Sequence, residues 1–335
     1  MKKAIGILLQ SLLLIVLSGT VLSCRHEGKT MKPSSTGKPS EIVVVSENNL
    51  WKSSAGDSVR AFFSRPVPGL PQPEPHYKLV QIKEDEFGRL LKIHRNVLII
   101  TIDSAMSKPQ AELRRDIWAS PQRVVKISSP SIEGIKEIFA EKSDKILNLY
   151  DNAEIERLQS LYAKSLNLKA SESIKNAFNL KMNVPADYYV AAQKDNFIWL
   201  RRETNIMSQG LLIYSYPYTD TVAFNPLKIK AVRNQFTQLF VPGPSDSSYM
   251  VIADEFILPQ TRAISLKDEP AVEMRGLWEV RKDFMGGPFI NYTFVDRKNN
   301  MVIGLDGYVY APNISKYDYL KQVQAILLSF RFAEN

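Results

Sequence analysis

Cys24 is the only cysteine in the 335-residue chain, and this narrows the choice of fold more than any other feature. No intramolecular disulfide can close, and the multi-thiolate sets of structural zinc sites are out of reach. The fold must therefore be held by an apolar core. With 44% hydrophobic and 23% charged residues, the chain has globular proportions and can supply one. Only three histidines are present, so general bases and metal ligands are scarce and no metal site is expected.

The position of the cysteine is informative too. Lys2 and Lys3 precede an apolar run from Ala4 to Leu17, broken only by Gly6, Gln10 and Ser11. Ser18, Gly19 and Thr20 follow, then Val21-Leu22-Ser23-Cys24. This is the plan of a secretory signal covering residues 1–23. The run falls short of the roughly 20 continuous apolar residues that span a bilayer. The last four residues resemble the lipobox of bacterial lipoproteins, with an aliphatic residue three before the cysteine and a small one directly before it. Leu22 departs from the pattern, because a small residue is commoner there. The resemblance implies cleavage before Cys24, lipidation of Cys24 and attachment to the membrane through its acyl chains, two or more of which anchor stably. Arg25 stands where an Asp commonly retains lipoproteins in the inner membrane. The expectation is therefore the outer membrane, on its periplasmic face, with display at the cell surface as the other option.

The charge excludes one class of partner. Lys and Arg total 43 against 35 Asp and Glu, and loss of Lys2 and Lys3 would leave 41 minus 35, or +6. That excess is spread along the chain, whereas nucleic-acid binding needs a clustered basic footprint.

Residues 24–40 hold one large apolar residue, Met31, among Gly, Ser, Pro and Lys, and read as a flexible tether. Strands are predicted at 41–46, 77–83, 96–103 and 123–128, with helices at 50–64 and 87–94. Pro66, Pro68, Pro71, Pro73 and Pro75 make the segment between them extended or turning and poor in backbone donors. Residues 131–180 are helical in pattern, with one apolar stripe from Ile132 to Leu149, a break near Asp151 and Asn152, and a second stripe from Ile155 to Leu166. Strands follow at 197–203, 209–218, 248–254, 271–281, 288–296 and 301–310, with helices at 226–240 and 316–328. Leu212, Tyr214, Tyr216 and Tyr218 share a strand face, best explained by packing on a helix. The fold class is α+β, with mixed, largely antiparallel sheets and covering helices. Two sub-domains are expected, an N-terminal α+β part at 41–130 and a β-rich part at 181–335, divided by the helical stretch 131–180.

These segments resemble a family of Bacteroidota lipoproteins known as domain of unknown function 4837. The likeness rests on Glu41-Ile42-Val43-Val44-Val45, Leu50-Trp51 with Gly56-Asp57 and Arg60, Gly69-Leu70-Pro71-Gln72-Pro73-Glu74-Pro75, Arg95-Asn96, Gly286-Gly287-Pro288-Phe289 and Tyr310-Ala311-Pro312. It would span about residues 41–332. The family carries no established activity, so the resemblance implies an address and no catalytic residue. The closing segment, a hairpin, a helix and Ser329-Phe330-Arg331-Phe332, is similar to that of the PsbP/Mog1-like α/β/α sandwich, whose members are mostly non-catalytic.

Catalytic signatures are missing. There is no Gly-x-Ser-x-Gly elbow, His-Glu-x-x-His helix, P-loop or dinucleotide fingerprint, and nothing calls for a cofactor. The pairs Asp85/Glu86, Asp254/Glu255 and Asp268/Glu269 are adjacent in sequence, and neighbours on a strand point to opposite faces. His94 ends a short helix. The binding candidates are Trp51 and Arg60, both favoured interface anchors, with Pro71, Gln72, Glu74 and His76 on or beside a proline loop that loses little entropy on ordering. The alternative is that this loop packs over a sheet edge. Three functions follow in order of preference. The first is a lipid-anchored envelope protein that binds or assembles without catalysis, with an envelope protein or glycan as partner. The second is an envelope hydrolase acting on glycan or peptide. The third is a structural spacer.

Overall fold

Strands that read as unbroken apolar runs belong to sheets buried on both faces. Glu41-Ile42-Val43-Val44-Val45 and Asn96-Val97-Leu98-Ile99-Ile100 are such runs, and they lie side by side in the centre of a five-stranded sheet in the computed structural model, which describes residues 32–333. Its strands are β1 (Glu41–Val45), β2 (Lys78–Ile82), β3 (Asn96–Ile102), β4 (Gln110–Arg115) and β5 (Arg123–Ser129), in the order β2-β1-β3-β5-β4. β2, β1, β3 and β5 are parallel, and β4 closes the edge antiparallel.

Alternate residues of this sheet feed two cores. Ile42, Val44, Leu98, Ile100, Val125 and Ile127 face helix α2 (Ser54–Phe63) and the first half of a long helix. Val43, Val45, Val97 and Val124 face Phe87 and Trp118 on the other side. A short helix, α1 (Asn48–Trp51), precedes α2, and another, α3 (Arg89–Lys92), precedes β3. Residues 50–64 thus hold two helices separated by an elbow. Gly56 is required there, because a Cβ would come within 2.0 Å of the Trp51 carbonyl oxygen.

The long helix, α4 (Ile132–Tyr162), runs 31 residues, about 46 Å at 1.5 Å per residue. Ser131 caps it by accepting from the Gly134 N–H at 3.1 Å. The break expected near Asp151 and Asn152 is absent. The helix continues to Tyr162, and the interruption falls at 163–167, before α5 (Leu168–Phe178). A buried carboxylate fixes its second half. Glu154 accepts from Arg95 at 3.0 Å, from Asn96 at 2.8 Å and from Arg157 at 2.7 Å, tying α4 to the start of β3.

The remainder is an eight-stranded antiparallel sheet, preceded by a short strand β6 (Leu180–Lys181). Its strands are β7 (Tyr189–Lys194), β8 (Phe197–Glu203), β9 (Ser208–Pro217), β10 (Tyr249–Ala253), β11 (Gln260–Leu266), β12 (Glu269–Arg281), β13 (Gly286–Asp296) and β14 (Met301–Tyr310). The order is β10-β12-β13-β14-β9-β8-β7, and β11 also pairs with the long β12. Helix α6 (Pro226–Phe240) covers one face through Ile229, Val232 and Phe236. Leu212 and Tyr214 lie under it with Tyr216 against them, so helix packing explains the stripe up to Tyr216, while Tyr218 lies past the end of the strand. α5 and α7 (Tyr317–Leu327) cover the other face through Ile174, Phe178, Leu320, Val323 and Ile326. Each such side chain contributes about 1.5–3 kcal/mol by leaving water. Gly307 allows the contact, since a Cβ there would meet Val323 Cγ1 at 2.0 Å. A final strand, β15 (Arg331–Phe332), pairs with β6.

The α+β class with covering helices holds, and the two sheets divide the strand types: the first is mostly parallel, the second wholly antiparallel. From Ser34 onward the chain forms one compact unit. The fold begins earlier than Glu41. Thr36 exchanges backbone hydrogen bonds with Ile93 and Arg95, both 2.9 Å, and Gly37, at φ +98°, lies against the His94 ring. The signal segment and Cys24 lie outside the described residues. Among the described residues, no helix is long and apolar enough to cross a membrane.

Candidate functional site

The proline loop shows how one part of the chain reaches the other. It leaves α2 and closes on itself, with a bridge between Pro66 and Pro75 and a bond from Val67 N–H to the Glu74 carbonyl at 2.9 Å. Gly69 turns the chain at φ +77°, where an added Cβ would come within 2.9 Å of the Gly276 nitrogen of β12. Val67 and Leu70 then enter the core under the large sheet. Glu74 caps α7 from outside: its carboxylate accepts from the N–H groups of Lys316 at 2.7 Å and Tyr317 at 3.1 Å. The cap residue Lys316 makes no side-chain capping bond of its own. An anion at a helix N-terminus also meets the positive end of the helix dipole.

This strap leaves an open cleft of about 680 Å³ beside it. Four walls build the cleft: Arg65 to Pro68 with His76, the middle of α4, the β11–β12 hairpin, and α7. Asn148, Asp151 and Asn152 line it, which explains the polar interruption in the sequence of α4. They sit mid-helix because that stretch faces the cleft and not a core.

Two ion clusters organise the walls. Asp151 accepts from the Tyr77 hydroxyl at 3.0 Å and pairs with Lys321 at 3.2 Å. The Lys321 ammonium lies 4.6 Å from the centre of the Tyr77 ring and 4.4 Å from that of Tyr317. Burial opposes its charge, but Tyr317 and Asp151 outweigh burial and raise its pKa. On the hairpin, Glu273 takes Arg262 at 2.8 and 3.1 Å, and Arg275 at 2.9 and 3.5 Å. Burial works against the Glu273 carboxylate, and the two guanidinium groups overcome it, bringing its pKa down to about 2. Each arginine commits Nε and one Nη2 hydrogen to Glu273. A guanidinium has five N–H donors, so three remain on each.

Four cations line the cleft (Arg65, Arg262, Arg275 and Lys321) against two carboxylates (Asp151 and Glu273), a net of +2. His76 adds no charge near neutral pH. Its pKa is lowered by burial, and Lys321, Arg65 and Arg275 push the same way against Asp151. Its Nδ1 is buried without a hydrogen-bond partner. The cleft therefore offers spare cationic donors beside a neutral imidazole.

The residues singled out in the sequence divide. His76 lines the cleft. Glu74 is the cap of α7. Pro71 and Gln72 are exposed on the loop and are not among the cleft-lining residues. Trp51 and Arg60 form their own unit at the α1–α2 elbow. The Arg60 Nη1 donates to the Trp51 carbonyl at 2.5 Å, its guanidinium stacks 4.6 Å from the indole, and Asp57 pairs with it. His94 is a core histidine, with Nδ1 2.9 Å from the Asn96 carbonyl and Nε2 3.1 Å from Glu41. Sequence reasoning missed Asp151, Glu273, Arg275, Tyr317 and Lys321. The one signal for them was the pair of polar residues, Asp151 and Asn152, in the middle of a helical pattern. Among the described residues, no three His, Cys, Asp or Glu side chains gather to hold a metal ion.

Two family models match this chain, on either side of the loop between α4 and α5. Residues 35–163 match a Domain of unknown function (DUF8532), and residues 167–329 match a Domain of unknown function (DUF4837). The likeness to the second family is therefore confined to the C-terminal region. The motifs quoted from Glu41 to Asn96 fall within the first. A comparison with curated proteins finds no match. The cleft draws Arg65, His76 and Asp151 from the first matched region and Arg262, Glu273, Arg275 and Lys321 from the second.

Proposed function

We propose that this chain is a lipid-anchored cell-envelope protein that binds an acidic ligand in the cleft between the proline loop, α4, α7 and the β11–β12 hairpin, without transforming it. The observation that carries the reading is the cleft itself: concave, about 680 Å³, and net positive, with arginine donors left over after every carboxylate is paired. Ligand sites favour such junctions, where a few polar groups converge on a hollow. The address rests on the leader and on Val21-Leu22-Ser23-Cys24. These residues support acylation of Cys24 and attachment to the outer membrane, with the body on the periplasmic side.

Calorimetry with carboxylate-bearing peptidoglycan fragments and with phosphorylated envelope glycolipid headgroups tests the binding reading. Saturable binding of either one, weakening with salt, is expected; absence of binding by both overturns it. Labelling with a fatty-acid analogue in wild type and Cys24→Ser tests the address separately. A second reading, a hydrolase acting on envelope glycan or peptide, draws support from the neutral, unpartnered His76 in the same cleft as Asp151. Product release that His76→Gln abolishes would favour it.

A further inference from the structure

Helix α6 covers only part of its face of the large sheet. It ends at Phe240, and the chain turns away through Val241 to Pro244. Beyond its end the sheet carries Trp199, Trp278 and Tyr308, which floor a separate hollow of about 310 Å³. None of its lining residues belongs to the cleft. The Trp278 and Tyr308 rings meet edge to face with centroids 5.1 Å apart. The polar edges of the indoles are already committed. Trp199 Nε1 donates to the Tyr308 hydroxyl at 3.0 Å, and Trp278 Nε1 donates to the Val309 carbonyl at 3.2 Å. The floor is closely packed, with Trp199 7%, Tyr308 4% and Trp278 2% exposed, so it presents ring edges at the bottom of the hollow and withholds the indole donors.

The rim supplies one. Arg201 lies with its guanidinium 5.0 Å from the Trp199 ring and lines the hollow. Its Nη2 pairs with Glu203, while its Nε is buried with no hydrogen-bond partner. A buried donor left unmade is costly, and a ligand oxygen there would relieve that cost. An aromatic floor alone suits either a flat ring or an organic cation. Arg201 decides between them: Glu203 offsets its charge, but its Nε–H still lacks an acceptor, which a carboxylate supplies and a cation does not.

We propose that this hollow is a second ligand site, which takes a small aromatic carboxylate with its ring on Trp199, Trp278 and Tyr308 and its carboxylate on Arg201. Both indoles report on the site, so titration of the full chain with phenylacetate, followed by tryptophan fluorescence and calorimetry, tests it. Phenylacetamide and benzyltrimethylammonium serve as the neutral and cationic controls. Saturable binding of one phenylacetate per chain is expected, weaker for the amide and weakest for the cation. Arg201→Gln, a change at the rim, should weaken phenylacetate by about tenfold or more, as loss of a charge-assisted bond does. Met285→Trp, which fills the hollow from its exposed side, should remove binding while circular dichroism stays native. The proposal fails if phenylacetate gives no saturable signal. It fails equally if Arg201→Gln binds like the wild type, or if the cation binds best.

Discussion

Arg233 and Asp306 lie fully enclosed between α6 and the large sheet, whereas Glu273, on the opposite face, shares its carboxylate between a half-buried Arg275 and an Arg262 that is 64% exposed. The chemistry is the same and the surroundings differ. Asp306 accepts from Arg233 at 2.7 and 3.1 Å and from Asn291 at 3.2 Å, and Asn291 is held by Tyr214 and Thr293. The guanidinium of Arg233 lies 4.2 Å from the Phe289 ring. A pair sealed in this way serves the fold and meets no ligand. The Glu273 cluster has one arm in solvent and lines a hollow, so it can be stable without a ligand and still engage one. An arginine–carboxylate pair therefore marks a binding site only where one partner remains open.

The sharpest break is at the sealed pair. Asp306→Ala leaves a buried guanidinium without a counter-charge, and denaturant unfolding should show a loss of about 3–5 kcal/mol. Replacing both partners, Asp306→Leu with Arg233→Met, should recover most of that loss, because apolar groups of similar volume need no solvation. A single variant as stable as the wild type would show that the pair is not sealed.

The open cluster should respond to acid. The folded pKa of Glu273, about 2, lies below its ordinary 4.5. The unfolded chain therefore takes up the proton first. The stabilisation is complete above about pH 4.5 and is lost as the pH falls towards 2, at most about 3 kcal/mol in all. Unfolding measured from pH 6 to pH 2.5 in wild type and Glu273→Gln isolates it. Equal slopes in the two proteins would remove Glu273 from the account.

A third change tests the wall of the cleft. Glu74→Ala strips two N–H groups at the start of α7 of their acceptor, and thermal unfolding should report a loss of about 1–2 kcal/mol. A loss within a few tenths would mean that the proline loop does not hold α7.

The same contrast between enclosed and open explains what was legible in the sequence. Buried elements announced themselves: β1 and β3 through apolar runs, β8 and β9 through alternation, α7 through its stripe. The strands that went unseen are β4, β7 and β11, each an edge strand, and the two-residue pair of β6 and β15. Gln110-Ala111-Glu112-Leu113-Arg114-Arg115 is mostly exposed, so no apolar period marks it. Charged residues on such edges also discourage pairing with another chain. Asp151 misled in the same direction. A polar residue in a helix reads as an end when only cores are considered, and here it faced a cleft. The Glu74 cap and the Glu273 cluster join residues from distant parts of the chain, and no local pattern encodes such a meeting.

The smallest effect on stability belongs to the most informative variant. Arg262→Gln removes a guanidinium that is largely in water, so unfolding should change by less than about 1 kcal/mol. Glu273 keeps Arg275, so no buried charge is left alone. If the cleft takes an acidic ligand, the same substitution removes three spare donors and one of four cations from its wall. Affinity should then fall by about tenfold or more, and the salt dependence of binding should become shallower. The decisive comparison is with Asp306→Ala examined above its own folding limit. That protein is expected to be weakly stable, yet its folded fraction should bind as the wild type does. A large fall in affinity there, or none in Arg262→Gln, would reverse the roles assigned to the two clusters.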